Sequence, residues 1–325
     1  MNYTKFFFPI GGGYGDLVTK LYKFDVEPEF QKLSYLKKHY PEIKTLVMIA
    51  SHNRNAVDLM KYDPAIDHIY SFQYQFDNWG YFNRYKGDYK RLHEFPEIDR
   101  LARVEKFKVY VDPQEQQVID SLKAIGKPIV LINPFAGTFE RIGIPQTELY
   151  GLVDRFIDEC GCHVVVIGSS HIRSGTNEQY TPNGNEVLDI PPDCIKVDGK
   201  ITYFNLPEEK INVMPISESW NYERNGLTNL VNKHSIRLST QLTTLCSGFI
   251  GNFTGPTLMA WICEKPTVCF IIKGNPENVD SKNQSIAWPI VKKLPFSKVI
   301  FQSEYENDFS RIRADIFEFL QEKIR

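Results

Sequence analysis

The sequence predicts an α/β protein made of two doubly wound, Rossmann-like domains. Short apolar segments alternate with segments of helical spacing along most of the chain, which is typical of parallel sheets covered by helices on both faces. The alternation restarts after residue 113, and 325 residues exceed the usual length of one domain. We therefore expect a first domain over residues 1–113, a second over residues 114–305 and a terminal helix over residues 306–325.

The first half of the chain combines predicted strands with a glycine-rich turn and an aromatic-rich segment. Strands are predicted at residues 6–10, at 45–50, around Ile69 and at 109–111. The glycine-rich turn follows the first of them, and helical spacing resumes after it. The aromatic side chains of residues 70–95 fit neither the strand period nor the helix period. They either pack down on their own domain or stack on a ligand.

The second half repeats the alternation of strands and helices. Strands are predicted at residues 129–132, 163–167, 248–252 and 267–272. Helices are predicted near residues 117–125, 149–159 and 239–246, and after Pro256. Residues 171–225 are polar and carry no clear pattern. Apolar side chains at helical spacing predict one amphipathic helix at the end of the chain: Phe309, Ile312, Ile316 and Leu320.

The overall composition argues against several classes of partner. The charges of the 38 basic and 40 acidic residues nearly cancel. The net charge therefore does not indicate a protein that binds nucleic acids or anionic membranes. No apolar run approaches the roughly 20 residues of a membrane helix, and no signal-peptide pattern opens the sequence. Six cysteines without metal-ligand spacing predict reduced thiols. We therefore expect a cytoplasmic protein, and composition does not indicate its oligomeric state.

A glycine-rich turn after the first strand is the first candidate site. It matches neither the dinucleotide fingerprint nor the P-loop, because Asp16 stands at the third glycine position and no Gly-Lys-Ser/Thr follows. Asp16 is either a first-turn acid that stabilises the following helix or a general base at the carboxyl edge of the sheet. The residues that would allow close approach of a ligand are Gly12, Gly13, Tyr14 and Gly15.

A second turn, after the strand at residues 248–252, is the other candidate site. The backbone N–H groups of Gly255 and Thr257, with the hydroxyls of Thr254 and Thr257, suit a pyrophosphate. Pro256 has no N–H but fits the first turn of a helix. The alternative is a capped helix start that binds no ligand.

Arg141 is a candidate cation on the loop after the strand at residues 129–132. A guanidinium there either neutralises a diphosphate by bidentate bonding or belongs to the solvated surface. No Asp-x-Asp occurs in the sequence, and no histidine or cysteine pair has the spacing of zinc ligands. The motifs therefore predict no metal site.

Several short motifs, taken in order, resemble the heptosyltransferases of glycosyltransferase family 9. The chain begins with a strand and the Gly15-Asp16 pair that starts a helix. Asn-Pro-Phe-Ala, Thr-Gly-Pro and Lys-Pro-Thr-Val follow in the second half at residues 133–136, 254–256 and 265–268. The chain departs from the family pattern at Phe253 and Leu258, where the signature has Asp and His. Arg237 stands near the position of an acidic ribose contact in some members.

The resemblance implies a GT-B fold, in which two Rossmann-like domains enclose a cleft. The first domain would then lie on the acceptor side, the second would bind the nucleotide sugar, and the terminal helix of residues 306–325 would pack back across the domain junction. The resemblance also implies a metal-independent, inverting glycosyltransferase with Asp16 as general base and no cofactor, which takes a nucleotide sugar as donor and a glycan-type hydroxyl as acceptor. The donor-binding residues that it implies are Arg141, Ser169, Thr254, Gly255, Pro256 and Thr257. A catalytically silent nucleotide-binding protein, or an epimerase or hydrolase of nucleotide sugars on the same scaffold, are the alternatives.

Overall fold

The structure, a computed structural model, divides into two compact units. The first comprises Met1–Tyr110 and Arg173–Val213, and the second comprises Val111–Ile172 and Met214–Arg325. The residues that the structure describes are 3–9, 36–50, 55–72, 109–135, 144–173, 178–180, 194–197, 200–203, 213–215, 220–271, 294–301, 305 and 308–324.

Strands and helices of the described ranges alternate over much of the chain. The strands are β1 Tyr3–Pro9, β2 Lys44–Ala50, β3 His68–Phe72, β4 Ile129–Asn133, β5 His163–Val166, β6 His171–Arg173, β7 Glu178–Tyr180, β8 Cys194–Val197, β9 Lys200–Tyr203, β10 Val213–Pro215, β11 Leu227–Asn229, β12 Gly248–Asn252, β13 Thr267–Ile271 and β14 Ser297–Phe301. The helices are α1 Asn55–Met60, α2 Pro113–Ala124, α3 Gln146–Asp158, α4 Ile236–Leu245, α5 Gly255–Ile262 and α6 Phe309–Ile324.

The first unit contains a four-stranded sheet in the order β1-β2-β3-β7. The first three strands are parallel, and β7 pairs with β3 in the antiparallel direction. Strands β8 and β9 form a separate antiparallel pair. The strands predicted at residues 6–10, 45–50 and around Ile69 are confirmed. The strand predicted at 109–111 is wrong, because this segment leads without regular structure into the cap of α2 at Asp112.

Residues 173–213 group with the first unit, whereas the sequence assigned them to the second domain. The physical reason is the pairing of β7 with β3, which brings this polar segment into the first sheet. The chain leaves the second unit in β6 and returns to it in β10, and these two strands pair with one another. The division of the chain therefore differs from two continuous domains that meet near residue 113.

The second unit contains a six-stranded parallel sheet in the order β11-β5-β4-β12-β13-β14. Numbered by their order along this unit, the strands read 3-2-1-4-5-6, which is the order of Rossmann dinucleotide-binding sheets. The chain starts in the middle at β4, builds outward to β11, then crosses back to β12 and builds outward on the other side. The predicted α/β class with a doubly wound parallel sheet is confirmed in this unit.

Helices cover both faces of this sheet because its central strands are apolar on both sides. In β4, Val130 and Ile132 belong to one core cluster, and Ile129 and Leu131 belong to the other. Helices α3 and α6 pack on the first face through side chains that include Leu152, Phe156, Ile316 and Phe317. Helices α2 and α4 pack on the opposite face through Ile119, Leu122, Leu238 and Leu242.

The terminal helix α6 lies within the second unit. Its buried residues Ile312, Ile316 and Leu320 share a core cluster with α3, and Arg313 forms an ion pair with Glu148. The family resemblance implies a terminal helix that packs back across the domain junction, whereas the contacts described for α6 are with α3 and the second sheet. No helix in the described ranges combines the length and the apolar character that a membrane crossing needs.

Candidate functional site

The strand order places a crevice beside β4 and β12. Connections from these two neighbouring strands run in opposite directions, and ligands of open α/β sheets bind at such a switch point, outside the carboxyl ends of the strands. Asn133 and Pro134 end β4 at this edge, and Asn252 and Thr254 stand at the end of β12. A small cavity at the same place is lined by Asn133, Asn252 and mainly apolar neighbours.

The N-terminus of α5 points at this switch point because α5 directly follows β12. Thr254 is the N-cap residue, with extended backbone angles (φ −141°, ψ 176°), and Pro256 lies in the first turn. The first N–H groups of any helix lack partners within the helix. Pro256 has none to offer, so Gly255 and Thr257 supply the first N–H donors of α5. This turn is therefore built to attract an anion.

Side-chain caps distinguish the helices of the second unit. Asp112 caps α2, Ser235 caps α4, and Asp308 accepts a hydrogen bond from the first turn of α6. Among the described residues, no side chain caps α3, which begins after Pro145, or α5, which begins after Thr254. Helices α3 and α5 are the two that follow β4 and β12. The uncapped N-termini are thus those beside the switch point.

The two threonines of the α5 turn have different roles. The Thr254 hydroxyl accepts a hydrogen bond from Asn133 Nδ2 (3.4 Å) and donates to the Asn252 carbonyl (3.3 Å). Thr257 is fully buried, and its hydroxyl also donates to the Asn252 carbonyl. The sequence predicts both hydroxyls as ligand contacts. The hydroxyl of Thr257 is instead engaged inside the fold, where it donates to the Asn252 carbonyl.

Two buried asparagines at this edge were not among the predicted site residues. Asn252 Nδ2 donates to the Pro134 carbonyl (2.8 Å), and Asn133 Oδ1 accepts from the Phe135 N–H (3.3 Å). Their exposed fractions are 4% and 3%. The available signal in the sequence was that each asparagine ends a buried apolar strand, where a polar residue faces the ligand edge of the sheet.

Ser169 lies at the end of β5, on the same edge of the sheet. Its hydroxyl donates to Asn232 Oδ1 (3.0 Å), and Asn232 Nδ2 donates in turn to the Ser170 hydroxyl (2.8 Å). Asn232 has a positive φ of 60°, which this residue type tolerates better than most. The loops after β5 and β11 are therefore held together by side-chain hydrogen bonds.

Gly168 joins the β5 loop to the crevice. Its φ of 113° suits glycine, and a Cβ there would lie 2.5 Å from Asn133 Oδ1 and 2.8 Å from the Phe135 ring. A larger residue cannot be placed without moving the loop after β4.

The remaining candidates either lie outside the described residues or serve the fold. The candidates that fall outside the described ranges are Gly12, Gly13, Tyr14, Gly15, Asp16 and Arg141. Leu258 is buried, and the Phe253 ring lies 6.0 Å from the Trp261 ring. Arg237 is buried and donates to both carboxylate oxygens of Glu115, each at 3.1 Å. Its guanidinium is therefore committed to an internal ion pair between the starts of α2 and α4.

The described part of the crevice consists of neutral hydrogen-bonding groups. No three His, Cys, Asp or Glu side chains among the described residues converge as metal ligands. Burial raises the pKa of the Cys246 thiol to about 12, and burial followed by the nearby Cys160 raises that of Cys162 to about 11, so these thiols are protonated at neutral pH. Backbone N–H, amide and hydroxyl groups remain, and they suit an anionic ligand.

Comparisons with known proteins give a remote structural similarity. No family model matches the chain, and no curated protein matches it. The chain is similar to the ADP-heptose LPS heptosyltransferase II of E. coli (13% identity, 98% of this chain and 100% of that chain, TM-score 0.48). It is also similar to a glycosyl transferase family 9 protein from Veillonella parvula (11% identity, 96% of this chain and 90% of that chain, TM-score 0.47). A third similar structure is E. coli heptosyltransferase WaaC with ADP (8% identity, 97% of this chain and 99% of that chain, TM-score 0.45). These structures belong to the family that the sequence motifs resemble, but since no TM-score reaches 0.5 they assign neither fold nor activity to this chain.

Proposed function

We propose that this chain is a glycosyltransferase that moves a sugar from a nucleoside-diphosphate sugar to a hydroxyl group. The observation that carries the proposal is the uncapped N-terminus of α5 at the switch point of a 3-2-1-4-5-6 sheet. A helix N-terminus carries the equivalent of roughly +0.5 elementary charge, and phosphates bind there in other open α/β sheets. The GT-B arrangement is part of this proposal.

The leaving group of such a transfer is a nucleoside diphosphate, which gains negative charge as the glycosidic bond breaks. Gly255 and Thr257 N–H groups would stabilise this charge, and Arg141 would add a cation. Because N–H donors and a guanidinium can neutralise the leaving diphosphate directly, the stabilisation that we propose needs no metal ion. Ser169 is proposed to contact the nucleoside part of the donor.

Asp16 is proposed as the general base of the transfer. Its carboxylate takes the proton of the acceptor hydroxyl, and the acceptor oxygen forms a bond to the anomeric carbon. The bond from that carbon to the diphosphate oxygen breaks, and its electron pair leaves with the diphosphate. A single displacement of this kind inverts the anomeric configuration. A positioned base typically contributes about 10²–10⁴-fold to the rate.

Donor binding is tested first, by the melting temperature in the presence of nucleoside diphosphates and of the matching nucleosides, with EDTA throughout. We expect one diphosphate to raise the melting temperature, because ligand at 100 times its Kd stabilises the native state by about 2.7 kcal/mol. The matching nucleoside is the control, since it lacks the group that α5 attracts. An equal rise with both compounds would contradict recognition of the diphosphate by α5.

The chemical step is tested with Asp16→Asn. We expect sugar transfer to fall by about 10²–10⁴-fold while the Kd for the donor stays within twofold. Asp58→Asn removes a carboxylate from α1 and serves as the matched control. Equal losses in rate and donor affinity would argue against the base role. Turnover of the donor without any acceptor would favour an epimerase or hydrolase, and binding without turnover on any acceptor would favour a silent binding protein.

A further inference from the structure

We propose that Cys160 and Cys162 are a redox-active dithiol, which a low-molecular-weight disulfide such as glutathione disulfide oxidises to an internal disulfide. The two thiols lie in the turn between the end of α3 and the start of β5. Because β5 begins there, this turn is at the opposite edge of the sheet from the crevice, which lies outside the carboxyl ends of the strands. A redox reaction in this turn does not depend on the proposed function.

The two side chains are in contact, with one residue between them in the chain. The thiol of Cys162 forms a side-chain hydrogen bond with Cys160. Its Sγ also lies 3.9 Å from the carbonyl oxygen of Cys160. A disulfide brings its two sulfur atoms to about 2.05 Å from one another, so its formation requires a local movement of this turn.

Gly161 gives the turn the freedom that this movement requires. Its φ of 66° lies in the left-handed region, and among the described residues no atom lies within 4 Å of an added Cβ. The backbone on either side of the turn is fixed. The Glu159 N–H donates to the Arg155 carbonyl at the end of α3 (2.9 Å). The His163 N–H donates to the Pro128 carbonyl at the start of β5 (2.8 Å), so the turn adjusts between two anchored ends.

The two thiols differ in exposure, and this difference assigns their roles. Cys160 is partly exposed, so a disulfide from solution can reach it. Cys162 is fully buried in the core cluster that contains Phe156, so only a neighbour within the fold can reach it. Cys160 is therefore the thiol that attacks the external disulfide. Cys162 is the thiol that resolves the mixed disulfide from inside the fold.

The reaction consists of two thiol–disulfide exchanges. In the first, the Cys160 thiolate attacks glutathione disulfide, an S–S bond forms between Cys160 and one glutathione, and the other glutathione leaves as a thiolate. In the second, the Cys162 thiolate attacks the sulfur of Cys160, and the bound glutathione leaves as a thiolate. The two thiol protons pass through solvent to the released thiolates. The chain thus loses two hydrogen atoms, and glutathione disulfide is reduced to two thiols.

The second exchange should limit the rate. Burial, followed by the neighbouring Cys160, raises the pKa of Cys162 to about 11, while the charge of Lys127 acts in the opposite direction. A small fraction of Cys162 is therefore thiolate at neutral pH, and this fraction grows about tenfold per pH unit. Contact with Cys160 compensates for the small fraction, because a neighbouring group reacts at an effective concentration far above that of a thiol in solution.

Two variants separate the exchanges. Cys162→Ala removes the resolving thiol without burying a polar group, so glutathione should remain on Cys160 as a stable adduct. Cys160→Ser removes the thiol that solvent reaches, so neither the adduct nor the internal disulfide should form. Cys269 is the control within every sample, because it is fully buried and should stay reduced in the folded chain.

The test treats the folded full chain with glutathione disulfide, followed by an acid quench, alkylation and mass spectrometry. Residues 156–173 form one tryptic peptide that contains Cys160 and Cys162 and no other cysteine. In wild type we expect this peptide to lose two hydrogens and both alkylation sites together, and dithiothreitol should restore them. The rate should rise about tenfold per unit from about pH 7 to about pH 9.

The denatured chain shows that the oxidant is active, since Cys269 should react there as well. A stable glutathione adduct on Cys160 of wild type, with the lifetime seen in Cys162→Ala, would overturn the role of Cys162. Absence of any reaction at Cys160 and Cys162 in the folded chain would overturn the whole proposal.

Discussion

Helices α4 and α5 begin at the same edge of the same sheet, and they begin in opposite ways. Ser235 caps α4 by accepting the Leu238 N–H (3.2 Å), and its hydroxyl also donates to Glu115. Thr254 stands at the equivalent place in α5, yet its hydroxyl turns away to Asn133 and Asn252. A hydroxyl residue at an N-cap position therefore does not by itself complete a helix. Its neighbours determine whether its hydroxyl accepts one of the first N–H groups of the helix.

The surroundings of the two helix starts differ in the same sense. The start of α4 contains a buried ion pair, since Arg237 donates to Glu115 from Nε and Nη2 and reaches Asp112 at 3.5 Å. Glu115 also accepts the Asp112 N–H in the capping box of α2. The start of α5 contains neutral donors only, among the residues described around it. The N-terminus of α4 therefore lies beside an internal ion pair, whereas the N-terminus of α5 keeps the partial positive charge of a helix start.

The largest expected effect on stability is at the start of α4. Glu115→Ala should lower the free energy of unfolding by about 3–5 kcal/mol, because the buried, charged Arg237 loses both of its hydrogen bonds to Glu115. Urea unfolding measures it. The control is Glu115→Leu combined with Arg237→Met, which removes both charges and should be far closer to wild type. If Glu115→Ala lowered the free energy of unfolding by less than about 1 kcal/mol, the Glu115–Arg237 pair would not be what stabilises the start of α4.

A smaller effect on stability is expected at Gly168, where the loop after β5 contacts Asn133. Gly168→Ala should cost about 2–3 kcal/mol of unfolding free energy, because alanine is strained at a φ of 113° and its Cβ would clash with Asn133. Gly161→Ala is the matched control, since its φ is 66° but nothing lies within 4 Å of the added Cβ. Equal costs at the two glycines would show that the contact with Asn133 is unimportant.

The two cap positions themselves should differ in stability. Ser235→Ala should cost about 1–2 kcal/mol, because it removes a helix cap and a hydroxyl bound to a carboxylate. Thr254→Val should cost less than half of that, since the two hydrogen bonds that it loses are long, at 3.3 and 3.4 Å. Thermal and urea unfolding of both variants test the difference. A larger loss at Thr254 would mean that its hydroxyl stabilises α5 after all.

The smallest effect concerns pH and the loop before α4. Burial lowers the pKa of His234, despite a hydrogen bond to the Leu230 carbonyl and the nearby Glu115, so the folded state keeps this imidazole neutral. The unfolded chain binds a proton near pH 6.5, and stability is therefore lost as the pH falls below that value, by at most about 1.4 kcal/mol per pH unit for one group. The free energy of unfolding of His234→Gln, measured from pH 8 to about 5, should fall less steeply than that of wild type. His39→Gln, at an exposed histidine, is the control, and an equal slope in wild type and His234→Gln would contradict the prediction.

The sequence was most informative where burial is continuous. Strands β4, β5 and β12 are buried at every residue, so their apolar runs were visible without any knowledge of the fold. Strand β14 is fully buried only at Ile300 and Phe301, and β7 has three residues on the antiparallel edge of the first sheet. Such short or half-exposed strands carry no periodic signal, and none of them was predicted.

The candidate site was predicted in its position but not in its geometry. The turn at Thr254 and Gly255 was found because glycine and proline after a strand mark a helix start. The roles of Asn133 and Asn252 could not be found, because their side chains bond residues 121 and 118 positions away in the chain. Local spacing also cannot tell whether a hydroxyl such as that of Thr257 points outward or into the core.

The pairing of β4 with β12 has a consequence for the synthesis of this protein. Val130 and Gly248 are neighbours in the sheet, although a long stretch of chain separates them and part of it belongs to the first unit. A nascent chain that has left the ribosome only as far as β11 contains β4, which forms one wall of the crevice. It still lacks β12, which forms the other wall. The turn after β12 can therefore form only late in translation, so any truncated product that ends before β12 would carry three of the six strands of this sheet and would lack the turn that we propose to bind a diphosphate.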